Sequence, residues 1–243
     1  MSFPVRAITL DLDDTIWPIA PAIVGAEAAL EAWMAENAPR AARMWPPRER
    51  QRLRELANRE RPRLAHDMTA QRQWMIERML VLADEDVELA DSAYDAYFAA
   101  RCDVTHYPDS VAALERLAAR VPLAAVSNGN ACLDTIGLMH LFRFQLGARE
   151  HGAAKPDASI FHAACERLGL PREQVLHVGD DPYMDVIGAR RAGLRACWIN
   201  RSDDHGRSQP WPDARPRPDL EFPTLAALAD WLDAAHAKES IRP

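Results

Sequence analysis

Near the start of the chain, Val5-Arg6-Ala7-Ile8-Thr9-Leu10 forms a nearly unbroken apolar run that stops at a carboxylate cluster, Asp11-Leu12-Asp13-Asp14. An apolar run of this kind suits a strand buried on both faces, as in a parallel sheet. A strand covered on both sides needs helices above and below it, which commits the chain to an α/β architecture. Side chains alternate along a strand, so Asp11 and Asp13 share a face at its carboxyl end, where open α/β sheets bind ligands. Adjacent carboxylates repel unless a cation sits between them, and a hard dication such as Mg²⁺ is the simplest partner. The same cluster could also serve as a turn that caps the next helix.

The remaining strands of that sheet come much later in the chain. From about Ile16 to Ala100 only helical patterning is found: Ile23, Ala26, Leu30 and Trp33 recur at helical spacing, as do Trp74 with Arg78 and Tyr94 with Phe98. Pro46-Pro47 suits a helix start. These features predict an inserted domain of about four helices, residues 17–100, with Trp33 and Trp74 in its core. The arginines at 48, 50, 52, 54, 59, 61 and 63 alternate with Glu49, Glu55 and Glu60 and predict a solvated helix face rather than an anion-binding patch.

From Cys102 the pattern becomes strand–helix alternation. Helices are predicted for Pro108–Arg120, from Asn130 through Leu141, Ser159–Leu168 closed by Gly169, and Asp185–Ala192 closed by Gly193. Strands are predicted at Val121–Val126, Phe144–Leu146, Val175–Val178 and Arg195–Ile199. Right-handed crossovers then give a doubly wound parallel sheet built from residues 1–16 and 101–243. The stretch Asp203–Pro218, with Pro210, Pro212, Pro216 and Pro218, reads as an irregular surface loop, and a last helix as running from about Thr224 to Ala235.

The bulk properties exclude several classes. A net charge of −7 disfavours a nucleic-acid surface. No run approaches the roughly 18 apolar residues of a membrane helix. The chain opens directly on the strand, without a basic-then-apolar leader, and Cys102, Cys132, Cys165 and Cys197 are scattered without C-x-x-C pairing. Reduced thiols in a cytoplasmic protein are expected.

Four polar clusters sit just beyond predicted strands or at helix entrances: Asp11-Leu12-Asp13-Asp14-Thr15, Ser127-Asn128-Gly129, Lys155-Pro156 and Gly179-Asp180 with Asp185. Each alone suits a turn, a cap or a solvated side chain. In this order and at these positions they resemble the four signature motifs of the haloacid-dehalogenase superfamily, with the helical insertion in the place of that family's cap. The resemblance implies a Mg²⁺-dependent phosphatase in which Asp11 is the nucleophile and forms an aspartyl-phosphate. It makes Asp13 the acid and base, has Ser127, Asn128 and Gly129 hold phosphoryl oxygens, and has Lys155 neutralise charge. It gives the metal to Asp11, the main-chain carbonyl of Asp13, and Asp180. Asp185 is then a more distant ligand or an orienting partner of Lys155.

Superfamily members that displace halide from carbon lack the acid two residues after the nucleophile and need no Mg²⁺, so Asp13 ranks phosphatase above 2-haloacid dehalogenase. A phosphomutase and a non-catalytic binding protein of the same fold remain alternatives. An unrelated dinucleotide or P-loop module is disfavoured by the lack of any G-x-G-x-x-G or G-x-x-x-x-G-K-[ST] after a strand. The runs His66-Asp67-Met68-Thr69, Ser127-Asn128-Gly129-Asn130-Ala131, His177-Val178-Gly179-Asp180-Asp181 and Ala196-Cys197-Trp198-Ile199 further resemble bacterial phosphatases of riboflavin biosynthesis. That implies a small phosphomonoester with a flat heteroaromatic group, such as ribitylaminouracil phosphate or flavin mononucleotide (FMN). Substrate choice would then lie in the insertion, with His66, Asp67 and Arg72 as lesser candidates. Trp17 would either stack on the substrate or pack the hinge of the cap.

Overall fold

The computed structural model describes residues 3–202, 206–212 and 215–239. Its contacts fall into two compact units: residues 1–18, 106–129 and 133–243 in one, and 19–105 with 130–132 in the other.

In the first unit the opening apolar run becomes β1, Ala7–Leu10, with all four residues buried. It lies inside a six-stranded sheet whose neighbours are β2 (Leu123–Ser127) and β4 (Val175–Gly179). The order is β3-β2-β1-β4-β5-β6, with β3 at Gln145–Gly147, β5 at Arg195–Ile199 and β6 at Leu220–Phe222. Every neighbouring pair is parallel. This is the doubly wound α/β sheet anticipated from the strand pattern. One side of it packs Ala124, Val126, Phe161, Val175, Ala189 and Trp198 into a single apolar cluster. Gly169 ends its helix in the left-handed region at φ 68°, a conformation cheap only without a Cβ.

Three local expectations are corrected. The helix expected from Asn130 through Leu141 is only one α turn, Leu133–Ile136, and a 3₁₀ turn, Met139–Leu141; Gly137 at φ 87° breaks the two apart. The helix expected from Asp185 begins earlier, as a π-helical turn over Pro182–Ile187 that continues into Gly188–Arg191. Asp181 starts it by accepting the amides of Tyr183 (2.7 Å) and Met184 (2.8 Å), with Pro182 at the first position. Finally, β6 extends the sheet beside β5, where no strand was expected. The proline-rich stretch before it lies partly outside the described residues; its described part carries neither helix nor strand. The last helix spans Leu225–Glu239.

The second unit is helical. Its five α-helices, α1 Ile19–Asn37, α2 Pro39–Met44, α3 Pro47–Glu60, α4 Met68–Leu82 and α5 Ala90–Arg101, exceed the expected four by the short α2. Ala22, Ala26, Leu30 and Met34 form the buried stripe of α1 at a spacing of four. Ala26, Leu30 and Met34 share a core with Ile76, Met79 and Leu80 of α4 and Tyr94 and Tyr97 of α5, while Trp33 and Trp74 pack against that core. Asp67 caps α4 by accepting the Ala70 amide at 2.8 Å.

The arginines from 48 to 63 are exposed except Arg50, which is 5% exposed and corrects the expectation there. Arg50 on α3 (3.4 Å) and Arg72 on α4 (2.5 Å) both reach the Glu27 carboxylate of α1. Arg72 also lies over the Tyr97 ring, 4.3 Å from its centroid. Among the described residues no helix is long and apolar enough to cross a membrane.

Candidate active site

The parallel register aligns the carboxyl ends of β1, β2 and β4, so residues far apart in sequence converge at one rim. Asp11 follows β1, Ser127 ends β2, and Asp180 follows β4. One carboxylate oxygen from each of Asp11, Asp180 and Asp185 lies within 4.8 Å of the others. Lys155 is 3% exposed and places its ammonium 2.5 Å from Asp11 Oδ1 and 2.7 Å from Asp185 Oδ1.

Three buried carboxylates around one ammonium leave negative charge in excess, and the proton affinities follow. Burial, with Asp185 and Asp13 close by, lifts the Asp11 carboxyl to about 7 against the pull of Lys155. Burial and the charges of Asp185, Asp11 and Asp14 lift Asp180 to about 8. Burial works against ionising Asp185 as well, but Lys155 and His177 outweigh it and hold this carboxyl well below the usual range. Burial alone would lower Lys155; its two carboxylate partners reverse that and hold its ammonium above the ordinary range.

Asp185 can sit here because residue 179 is glycine. A Cβ built on Gly179 would lie 2.2 Å from Asp185 Cγ and 2.3 Å from Oδ2. The Asp185 carboxylate also accepts the Asp181 amide at 3.1 Å and faces His177 Nε2 at 3.1 Å. Burial keeps His177 neutral, and a carboxylate only accepts, so Nε2 carries the ring proton. His177 Nδ1 is then left to accept the Thr9 hydroxyl at 2.9 Å across the β1–β4 register. Neither His177 nor Thr9 was assigned a role from the sequence. The available signal was a lone polar residue inside each of two otherwise apolar strands.

The second cluster splits its tasks. Ser127, 2% exposed, accepts the Gly129 amide at 3.0 Å. Asn128 spends its side chain on the backbone of Lys155, donating to its carbonyl (2.9 Å) and accepting its amide (2.7 Å). It therefore braces the lysine segment rather than presenting an open amide.

Asp13 is half-buried, and its Oδ1 accepts the indole N–H of Trp17 at 2.9 Å. Trp17 is fully buried and stands edge-on to His106, with ring centroids 5.8 Å apart. No ring face is open for stacking on a substrate, so packing is the role this geometry supports. Asp13 contributes no side-chain oxygen to the acidic triad. Thr15, not assigned from the sequence, donates its hydroxyl to Asp180 Oδ1 at 3.3 Å. The Trp198 indole holds the Asp180 carbonyl at 2.7 Å.

Comparison with known proteins matches this arrangement. The family model described as haloacid dehalogenase-like hydrolase matches residues 5–193. The 5-amino-6-(5-phospho-D-ribitylamino)uracil phosphatase YigB of Escherichia coli K12 is 36% identical over 234 residues, which is 94% of this chain and 96% of that protein. The crystal structure of a 2-haloacid dehalogenase from Pseudomonas syringae superposes with a TM-score of 0.85 at 35% identity, covering 97% of this chain and 99% of that one. A HAD phosphatase from Thermococcus onnurineus superposes at 0.65 with 25% identity, covering 94% of this chain and 98% of that one. With the family model spanning β1 to β4 and all four polar clusters, the chain belongs to the haloacid dehalogenase-like hydrolases, and it is a hydrolase.

Proposed function

We propose that this hydrolase is a phosphatase acting on a small phosphomonoester through an aspartyl-phosphate. The observation that carries the reading is Asp13, two residues beyond Asp11 and outside the acidic triad. The solved relative named as a dehalogenase makes halide displacement the competing reading. A halide leaves carbon as a weak base and needs no proton, whereas the alkoxide released from a phosphate ester is a strong base and needs an acid beside it. Asp13 supplies that acid.

Asp11 attacks phosphorus, forming an acyl-phosphate bond as the ester P–O bond breaks. Asp13 donates its proton to the departing oxygen. As a carboxylate it then takes a proton from the water that attacks phosphorus, which frees phosphate and restores Asp11. Lys155 offsets charge on Asp11 and on the phosphoryl oxygens. The Ser127 hydroxyl and the amides that follow it cradle those oxygens, and Asn128 and Asp185 hold Lys155 in place.

The donor set fits a magnesium ion. Its oxygens are hard, they lie close together, and the lifted proton affinities of Asp11 and Asp180 mark a deficit of positive charge. Asp11, Asp180 and the main-chain carbonyl of Asp13 would hold it. Asp185, whose oxygens are committed to Lys155, His177 and Asp181, would serve as a more remote ligand or as an orienting partner of Lys155. When bound, the ion supplies charge neutralisation at the nucleophile and phosphoryl group.

The helical unit would act as the cap that selects the leaving group. The relation to YigB supports the phosphate ester in that protein's name, and FMN is a second candidate with a flat heteroaromatic group. Four free thiols, three of them buried, suit a reducing compartment, so we place the enzyme in the cytoplasm.

The test is phosphate release from a panel of esters including ribitylaminouracil phosphate and FMN, with Mg²⁺ or chelator, beside chloride release from 2-chloropropionate. Phosphate release that needs Mg²⁺ and disappears in Asp11→Asn is expected. Chloride release without phosphate release, or full activity in Asp11→Asn, overturns the reading.

A further inference from the structure

The catalytic assignment above leaves one question about Asp13: a carboxyl group has two oxygens, and only one of them can deliver the proton. We infer that Trp17 is a positioning residue that makes Asp13 Oδ2 the proton-delivering atom. The inference rests on the phosphatase reading and adds to the packing role of Trp17 a part in the proton transfer.

Trp17 reaches Asp13 through a tight turn. Asp14 takes the left-handed region at φ 56°, its amide is received by the Trp17 carbonyl at 2.7 Å, and the Ile16 amide returns to the Leu12 carbonyl at 2.8 Å. That turn is fixed from outside at two further points. The Tyr107 amide donates to the Ile16 carbonyl at 3.0 Å, and the Arg201 guanidinium donates to the Thr15 carbonyl at 3.1 Å. The turn therefore holds the buried indole in place, and the side chain is not free to swing away.

An indole nitrogen donates and never accepts. A carboxyl's carbonyl oxygen accepts an N–H more strongly than its hydroxyl oxygen, so the bond from Trp17 to Oδ1 at 2.9 Å favours the acid form that carries its proton on Oδ2. The same bond also fixes the carboxyl rotamer, so the acid meets the departing oxygen in one orientation. Phe in place of Trp would keep an aromatic ring in the pocket and delete only the donor.

The test uses two esters of different leaving-group basicity in the presence of Mg²⁺: para-nitrophenyl phosphate, whose phenolate departs with little help, and an alkyl phosphate such as FMN, whose alkoxide needs the acid. Trp17→Phe and site-specific 3-benzothienylalanine at position 17, which keeps the bicyclic shape without the N–H, are compared with wild type. Asp13→Asn gives the reference pattern. We expect kcat on the alkyl ester to fall roughly tenfold or more, within the span of general-acid catalysis, at nearly constant KM, with a several-fold smaller loss on the aryl ester. Equal losses on both esters in the benzothienylalanine protein, or no loss on the alkyl ester, overturn the inference and leave the phosphatase reading standing. No phosphate release by wild type from either ester overturns the phosphatase reading itself.

Discussion

Replacing Lys155 by Met tests whether one buried ammonium sustains the charge balance of the site. Met keeps an unbranched chain of similar length in a site that is 3% exposed, so the change is mainly one of charge. It leaves Asp11 and Asp185, which the ammonium meets at 2.5 and 2.7 Å, facing each other without a cation. Removing one partner of a buried pair costs about 3–5 kcal/mol when the charge left behind stays ionised.

The cost depends on pH in a direction that the carboxyls set. In wild type Asp185 lies well below its unfolded range, so its contribution is present above about pH 4 and disappears as pH falls. Asp11 already sits at about 7, so it favours the folded state in acid and loses that advantage as pH rises toward 7. Without Lys155 both carboxyls shift upward. Near pH 4 each is protonated in the variant, which spares it an unpaired charge but forfeits the Asp185 contribution that wild type already has, so the loss is below its full value. As pH rises, each retained proton costs about 1.4 kcal/mol per unit, until the penalty levels off at the full cost of the unpaired charges.

Urea unfolding in chelator is the assay, read as the midpoint at constant m-value. We expect a difference from wild type that is clearly smaller at pH 4.5 than at pH 8, where it reaches about 3–5 kcal/mol, the range for breaking a buried pair. Lys155→Met/Asp185→Asn should recover a large share at pH 8, because it removes one of the stranded charges. A difference that stays flat with pH, or a variant as stable as wild type at pH 8, would refute the charge-balance argument.

Two further outcomes follow from the packing. Gly179→Ala puts a methyl group inside the space of the Asp185 carboxylate, and should cost about 2–4 kcal/mol as bonds to Lys155, His177 and Asp181 are strained, with activity falling alongside; urea midpoints within experimental error of wild type would contradict it. Arg72→Met removes a 2.5 Å partner from Glu27 and the cation over Tyr97, and should destabilise the helical unit by about 2–4 kcal/mol while Arg52→Met, on the solvated face, changes little; equal effects of the two would show that the Glu27 cluster contributes no more than a surface pair.

What could be read from the chain was whatever rests on local period or on polar residues placed after apolar runs. β1, β2, β4 and β5 announce themselves as apolar segments, and the four polar clusters stand just beyond strands or at helix starts. The features that escaped have short or non-local causes. Three residues of edge strand after a proline-rich stretch give β6 no period to detect. The helix expected after Asn130 fails because Gly137 permits a left-handed break that apolar spacing does not reveal. Glu27, Arg50 and Arg72 come from three helices, so their ion pairs exist only once those helices pack. Thr9 and His177 likewise meet only through the register of two strands separated by 168 positions. Trp17 was noticed for its ring, but its neighbour four residues back uses its N–H instead.

The order β3-β2-β1-β4 also bears on how this protein matures. Asp11 is made well before its lysine, which lies 144 positions later, and before Asp180 and Asp185, which come later still. Until β4 docks against β1, the first carboxylate has Asp13 and Asp14 nearby in sequence but lacks Asp180 and Asp185. A half-made chain therefore lacks Asp180, one of the residues that would hold the proposed ion. Metal uptake would report that the central strands have closed, making it a natural checkpoint on a finished fold.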